Sequence, residues 1–153
     1  MKALFAFVVL SNFLVSCNKI KTGATLSPAD IQHIQSLNLL DQDEKIYGFY
    51  SEYTNRVAGN FFTNKRMATY WLDEQRHDNN KLEFAFYTDI KSVDTVYKAG
   101  TTYCPYMLVI RNDDTKFKLS VDGRKEEVKH FFEEALSQWE QNRNPKIKKG
   151  ENP

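Results

Sequence analysis

Near its C-terminal end the chain carries Val128, Phe131, Phe132, Ala135, Leu136 and Trp139, apolar residues spaced along one face of an α-helix. Lys125, Glu126, Lys129, Glu133, Glu134 and Glu140 take the opposite face, and Asp122 stands where it can cap the helix. No other feature constrains the fold as strongly. Burying each large side chain of such a stripe is worth about 1.5–3 kcal/mol before ordering entropy is subtracted, so the helix needs an apolar surface to lie on. The chain has two cysteines, Cys17 and Cys104. A disulfide framework is therefore excluded, and hydrophobic packing must hold the domain.

That surface lies upstream, where the period changes from helical to alternating. Residues 46–53, 58–63, 67–72, 82–87, 90–97, 106–111 and 115–121 read as seven strands rich in aromatic and β-branched residues. Leu82, Phe84 and Phe86 alternate with Glu83, Ala85 and Tyr87 in a period of two. Asn64-Lys65 and Asn112-Asp113-Asp114 supply tight turns, while 75–80 and 98–105 read as loops. Before the strands, Ser27 caps a short helix over 28–38, with Pro28 at its first position and Asp30 three residues after the cap. Ile31, Ile34 and Leu37 line one side of it. The acidic run 41–44 lacks the glycine and spacing of a calcium loop and reads as a solvated turn.

The N-terminus has three zones: Lys2, an apolar run from Ala3 to Leu14, and Val15-Ser16-Cys17. This is the layout of a secretory signal. The run is too short to cross a bilayer core of about 30 Å, which needs about 20 residues. Leu14-Val15-Ser16-Cys17 resembles the lipobox of bacterial lipoproteins, which implies lipidation of Cys17 and cleavage before it. The resulting division is a signal peptide at 1–16, a lipidated cysteine and tether at 17–26, the short helix and lead-in at 27–44, the main domain at 45–142 and a flexible tail at 143–153. Asn18-Lys19-Ile20-Lys21 contains no acidic pair of the kind used for surface display. The expected location is thus the bacterial cell envelope, lipid-anchored to a membrane and facing the periplasm. Removing 1–16 takes away only Lys2 among the charges, leaving a net charge of zero. Nucleic-acid binding, which calls for a basic excess or stripe, is not expected.

Seven strands closed by one amphipathic helix resemble the pleckstrin-homology-like (PH-like) fold. Gly59-Asn60-Phe61-Phe62-Thr63-Asn64-Lys65-Arg66-Met67 resembles the strand-turn-strand signature of bacterial PH-like domains, with Thr63, Asn64, Lys65 and Arg66 as the turn. Thr88-Asp89-Ile90 with Val93 stands where that family links its sheets. The resemblance implies an α+β fold: a partly open seven-stranded antiparallel barrel capped by the C-terminal helix, with the short N-terminal helix added. Cystatin-like and nuclear-transport-factor-like folds are the structural rivals. Eukaryotic PH domains hold phosphoinositides with clustered bases after the first strand. Here Glu52-Tyr53-Thr54-Asn55-Arg56 offers one, so that ligand is not expected, and Lys65 and Arg66 are read as turn residues.

His33, His77 and His130 lack metal-ligand spacing and read as surface histidines. Cys104, in Tyr103-Cys104-Pro105-Tyr106, has no neighbouring base or helix start to activate it and reads as structural. Glycine-rich phosphate loops and nucleophile elbows are absent. The expectation is a non-catalytic protein-interaction module without cofactor, touching the membrane through its lipid and an envelope protein as partner, through an open sheet edge or the loops opposite the helix. The alternatives are a carrier of lipid or a small hydrophobe, and an enzyme using Cys104. Tyr47, Phe49, Tyr50, Tyr53, Phe61, Phe62, Tyr70 and Trp71 crowd the first three strands. They are read as core beneath the N-terminal helix, against the alternative of an exposed aromatic surface.

Overall fold

The structure, a computed structural model, describes residues 20–100 and 103–144. The signal segment, Cys17 and tail residues 145–153 lie outside the described residues. One antiparallel sheet holds β1 (Ile20–Lys21), β2 (Ile46–Tyr50), β3 (Ala58–Thr63), β4 (Arg66–Trp71) and β5 (Lys81–Phe86) in chain order. A second holds β6 (Ile90–Val96), β7 (Tyr106–Arg111) and β8 (Lys116–Ser120). Helix α1 (Pro28–Ser36) precedes β2, and α2 (Lys125–Asn142) closes the domain. The architecture is α+β with PH-like element order, and the seven strands read from sequence are β2 to β8. A short helical turn, Tyr87–Asp89, carries the chain from one sheet to the other. The sheets are not closed into the expected barrel, since no ladder joins them among the described residues.

Two apolar cores sit on the two faces of the first sheet. On one face Phe62, Met67 and Ala85 meet Met107, Val109, Phe117 and Leu119 of the second sheet and Val128, Phe131, Phe132 and Ala135 of α2. On the other, Leu26, Ile34, Leu39 and Leu40 cover Ile46, Phe49, Phe61, Ala68 and Tyr70. This double burial is why β2, β3 and β4 are apolar on both faces. Gly48 brings the first sheet close to α2: a Cβ there would lie 2.3 Å from Cε1 of Phe62 and 2.9 Å from Cε2 of Phe131.

Three local expectations change. The tether is structured from residue 20 onward, because Ile20 pairs with Tyr50 and Lys21 with Phe49, and Ile20 packs on the main core. Two residues are too few to show a period, so β1 left no pattern in the sequence. Helix α2 is capped at Arg124 rather than Asp122, and Glu127 reaches back to accept from the Arg124 N–H at 3.1 Å. The acidic lead-in is not simply solvated, because Glu44 is buried. At α1 the cap is reciprocal: Ser27 Oγ accepts from the Asp30 N–H at 3.1 Å, and the Asp30 carboxylate accepts from the Ser27 N–H at 3.2 Å.

Candidate functional site

The turn between β3 and β4 is built from its own side chains. Thr63 Oγ1 accepts from the N–H groups of Lys65 (2.9 Å) and Arg66 (3.0 Å), which folds the chain back on itself. Asn64 binds the lead-in twice: its N–H donates to the Lys45 carbonyl at 3.1 Å, and its Oδ1 accepts from the Lys45 N–H at 2.8 Å. Arg66, only 2% exposed, grips Glu44 with two bonds, Nε to Oε1 at 3.0 Å and Nη2 to Oε2 at 2.7 Å. Thr63 Oγ1 donates to the same carboxylate, and Asp41 lies 2.9 Å from Arg66 Nη2. Lys65 bonds Asp43 at 3.0 Å, and that hydrogen bond raises the lysine pKa and lowers the aspartate's. Tyr87 donates to the Thr63 carbonyl at 2.5 Å. All four turn residues are thus engaged within the protein, and both cations already have acidic partners.

The outer row of the first sheet is more open. Register aligns Phe49, Phe61, Ala68 and Phe84 across β2 to β5 on one face, with Leu82 beside Tyr70 and Phe86 beside Arg66. The cover of α1 and Leu39-Leu40 ends at β4, since the second core has no member from β5. Leu82, Phe84 and Phe86 therefore stay 37–40% exposed, while Ala85 of the other parity enters the main core. The alternation in β5 is real, but its large apolar residues point away from the main core. The Arg66 guanidinium lies under this stripe, 5.1 Å from the Phe84 ring centroid and 4.4 Å from that of Phe86. The Phe84 carbonyl accepts from Arg111 Nε at 3.1 Å and Nη2 at 3.0 Å, so strand addition along the free edge of β5 would have to displace Arg111.

Of the crowded aromatics, Phe49, Tyr50, Phe61, Phe62 and Tyr70 are buried, whereas Tyr53 and Trp71 are exposed and meet edge to face at 4.8 Å. Only the distant pairing of segments decides which is which, and the sequence carries no short-range signal for it. Cys104 is half-buried in a shallow cavity of about 240 Å³ with Glu52, Tyr103, Tyr106, Lys118 and Ser120. The histidines are elsewhere: His33 Nε2 lies 3.0 Å from the Arg56 carbonyl, His77 opens a helical turn, and His130 is 3.7 Å from Glu134. Among the described residues no cluster of His, Cys, Asp or Glu could hold a metal ion, and no helix is long and apolar enough to cross a membrane.

Burial pushes the Tyr50 hydroxyl up to about 12 and raises those of Tyr70 and Tyr87 as well. Tyr70 donates to the Asn55 carbonyl. Folded pKa values above the unfolded value of about 10 give a stability contribution that is complete below about pH 10 and drains as pH climbs toward the folded values. In an alkaline titration, three of the eight tyrosines should therefore release their protons in one cooperative step with the loss of circular dichroism. Smooth ionisation of all eight near the ordinary tyrosine range, with the native spectrum kept, would contradict this.

Fold and surface define a two-sheet domain with PH-like element order, a turn tied inward and an apolar stripe on its edge strand. Among solved structures, the chain is similar to the crystal structure of a DUF1696 family protein with a pleckstrin-homology domain from Shewanella loihica PV-4. The identity is 11% and the TM-score 0.49, over 74% of this chain and 92% of that one. No protein-family model matches the sequence, and no curated protein matches it.

Proposed function

We propose that this chain is a non-catalytic interaction module on a PH-like scaffold, held to a bacterial envelope membrane by lipid on Cys17 and facing the periplasm. The observation that carries the reading is the Leu82–Phe84–Phe86 stripe. Three large apolar side chains in a row on an edge strand are an unusual expense of exposed surface for a domain with two filled cores, and such patches serve as contact surfaces. Because Arg111 occupies the Phe84 carbonyl, the partner lies on the face of β5 rather than adding a strand to its edge. The carrier reading has less support: Phe62, Met107, Phe131 and Phe132 fill the space between the sheets and α2.

Two experiments test the two halves of this reading. Cys17→Ser should release the protein from the membrane fraction or leave it unprocessed; unchanged anchoring and processing would remove the lipid anchor from the proposal. A photo-crosslinking residue at position 84, introduced in living cells, should give a discrete protein adduct that the same residue at exposed position 129 does not. Identical patterns from the two positions would rule out the stripe as the contact surface.

A further inference from the structure

We infer that the end of the domain bearing Tyr53, Trp71 and Tyr103 rests in the headgroup interface of the membrane that holds the Cys17 lipid. This rests on the lipidation proposed above. Strand β1 begins at Ile20, and its antiparallel pairing with β2 puts its N-terminal end where β2 leads into Ser51, Glu52 and Tyr53. Cys17 precedes Ile20 by three residues, a span of at most about 10 Å at roughly 3.3–3.6 Å per residue. With so little slack, this end of the domain must stand at the bilayer surface.

The side chains at that end suit such a place. Tyr53 is 57% and Trp71 39% exposed, and the two rings contact each other. On the other side, Glu52 shares a shallow cavity with Tyr103, which is 73% exposed. Tyrosine and tryptophan, apolar in body and polar at the tip, collect at membrane interfaces. Glu52 and Lys118 both line this region, so the charge is mixed and the rings carry the contact. The occupant is accordingly a bilayer interface, with no requirement for anionic lipid.

Trp71 and Trp139 are the two tryptophans of the chain, and Trp139 is buried against the core. This makes the test specific. The full lipidated protein, its Cys17 lipid verified by mass, is placed in phosphatidylcholine vesicles with or without bromine on the acyl chains. Bromine should lower the Trp71 emission, because a ring at the interface lies against the acyl chains that carry the quencher. Trp71→Phe should abolish the drop. Equal emission in both vesicles with the lipid confirmed overturns this inference while leaving the anchor intact, and points to a different occupant of this end. A drop that persists in Trp71→Phe overturns it too. A mass without lipid overturns the anchor and this inference together.

Discussion

Arg66→Ala is expected to destabilise the protein by about 3–5 kcal/mol, the range for breaking a buried ion pair by removing one partner. The loss is large because of what stays behind. The Glu44 side chain is fully buried, and its two oxygens take both guanidinium bonds and the Thr63 hydroxyl. Without Arg66 that carboxylate keeps the hydroxyl and the Asp41 N–H, which donates to Oε2 at 3.0 Å, but no positive charge balances it inside the fold. Lysine at position 66 should restore little, since a single ammonium cannot reproduce the forked contact or the stacking under Phe84 and Phe86. Glu44→Met with Arg66→Met should come back close to wild type, because an apolar pair of similar volume leaves no charge stranded. Urea unfolding of the three variants measures this. A loss under about 1 kcal/mol for Arg66→Ala would put the pair in the class of surface salt bridges and contradict the burial described above.

The same pair marks the limit of what the sequence discloses. Local rules were enough for α1, whose Ser27 and Asp30 answer each other across three residues, and for α2, whose stripe repeats over about three turns. They were enough for β2 to β8, where alternation and turn residues both act within a few positions. Glu44 lies 22 positions from Arg66, and nothing nearby shows that this acid, unlike Asp43, turns inward. In β5, alternation shows two faces but not which one a distant segment covers. Leu82, Phe84 and Phe86 stay open because α1 and Leu39-Leu40 reach only to β4, a fact of tertiary packing. Strand β1 exists because β2 offers a partner, and two residues alone have no propensity to speak of. The site was thus legible as a turn motif but not as a buried electrostatic staple, and the apolar stripe was legible as a strand but not as a surface.

Phe131→Ala should also cost about 3–5 kcal/mol, for a different reason: it empties space instead of stranding charge. Phe131 is 2% exposed and meets Phe62 edge to face at 4.9 Å. The residue in front of it on the sheet is Gly48, so no Cβ stands there to fill the gap when the ring is removed. The neighbouring Phe132 packs on Tyr97 and lies 6.3 Å from Phe131, which leaves it poorly placed to swing across. A cavity therefore remains, and the loss should fall toward the upper part of the range. Leu136 gives the contrast. It is only half-buried at the margin of the same core, and Leu136→Ala should cost clearly less. Denaturant midpoints at constant m-value decide it. If Phe131→Ala and Leu136→Ala cost the same small amount, α2 is not docked through Phe131, and the close approach of sheet and helix at Gly48 does not hold the domain together.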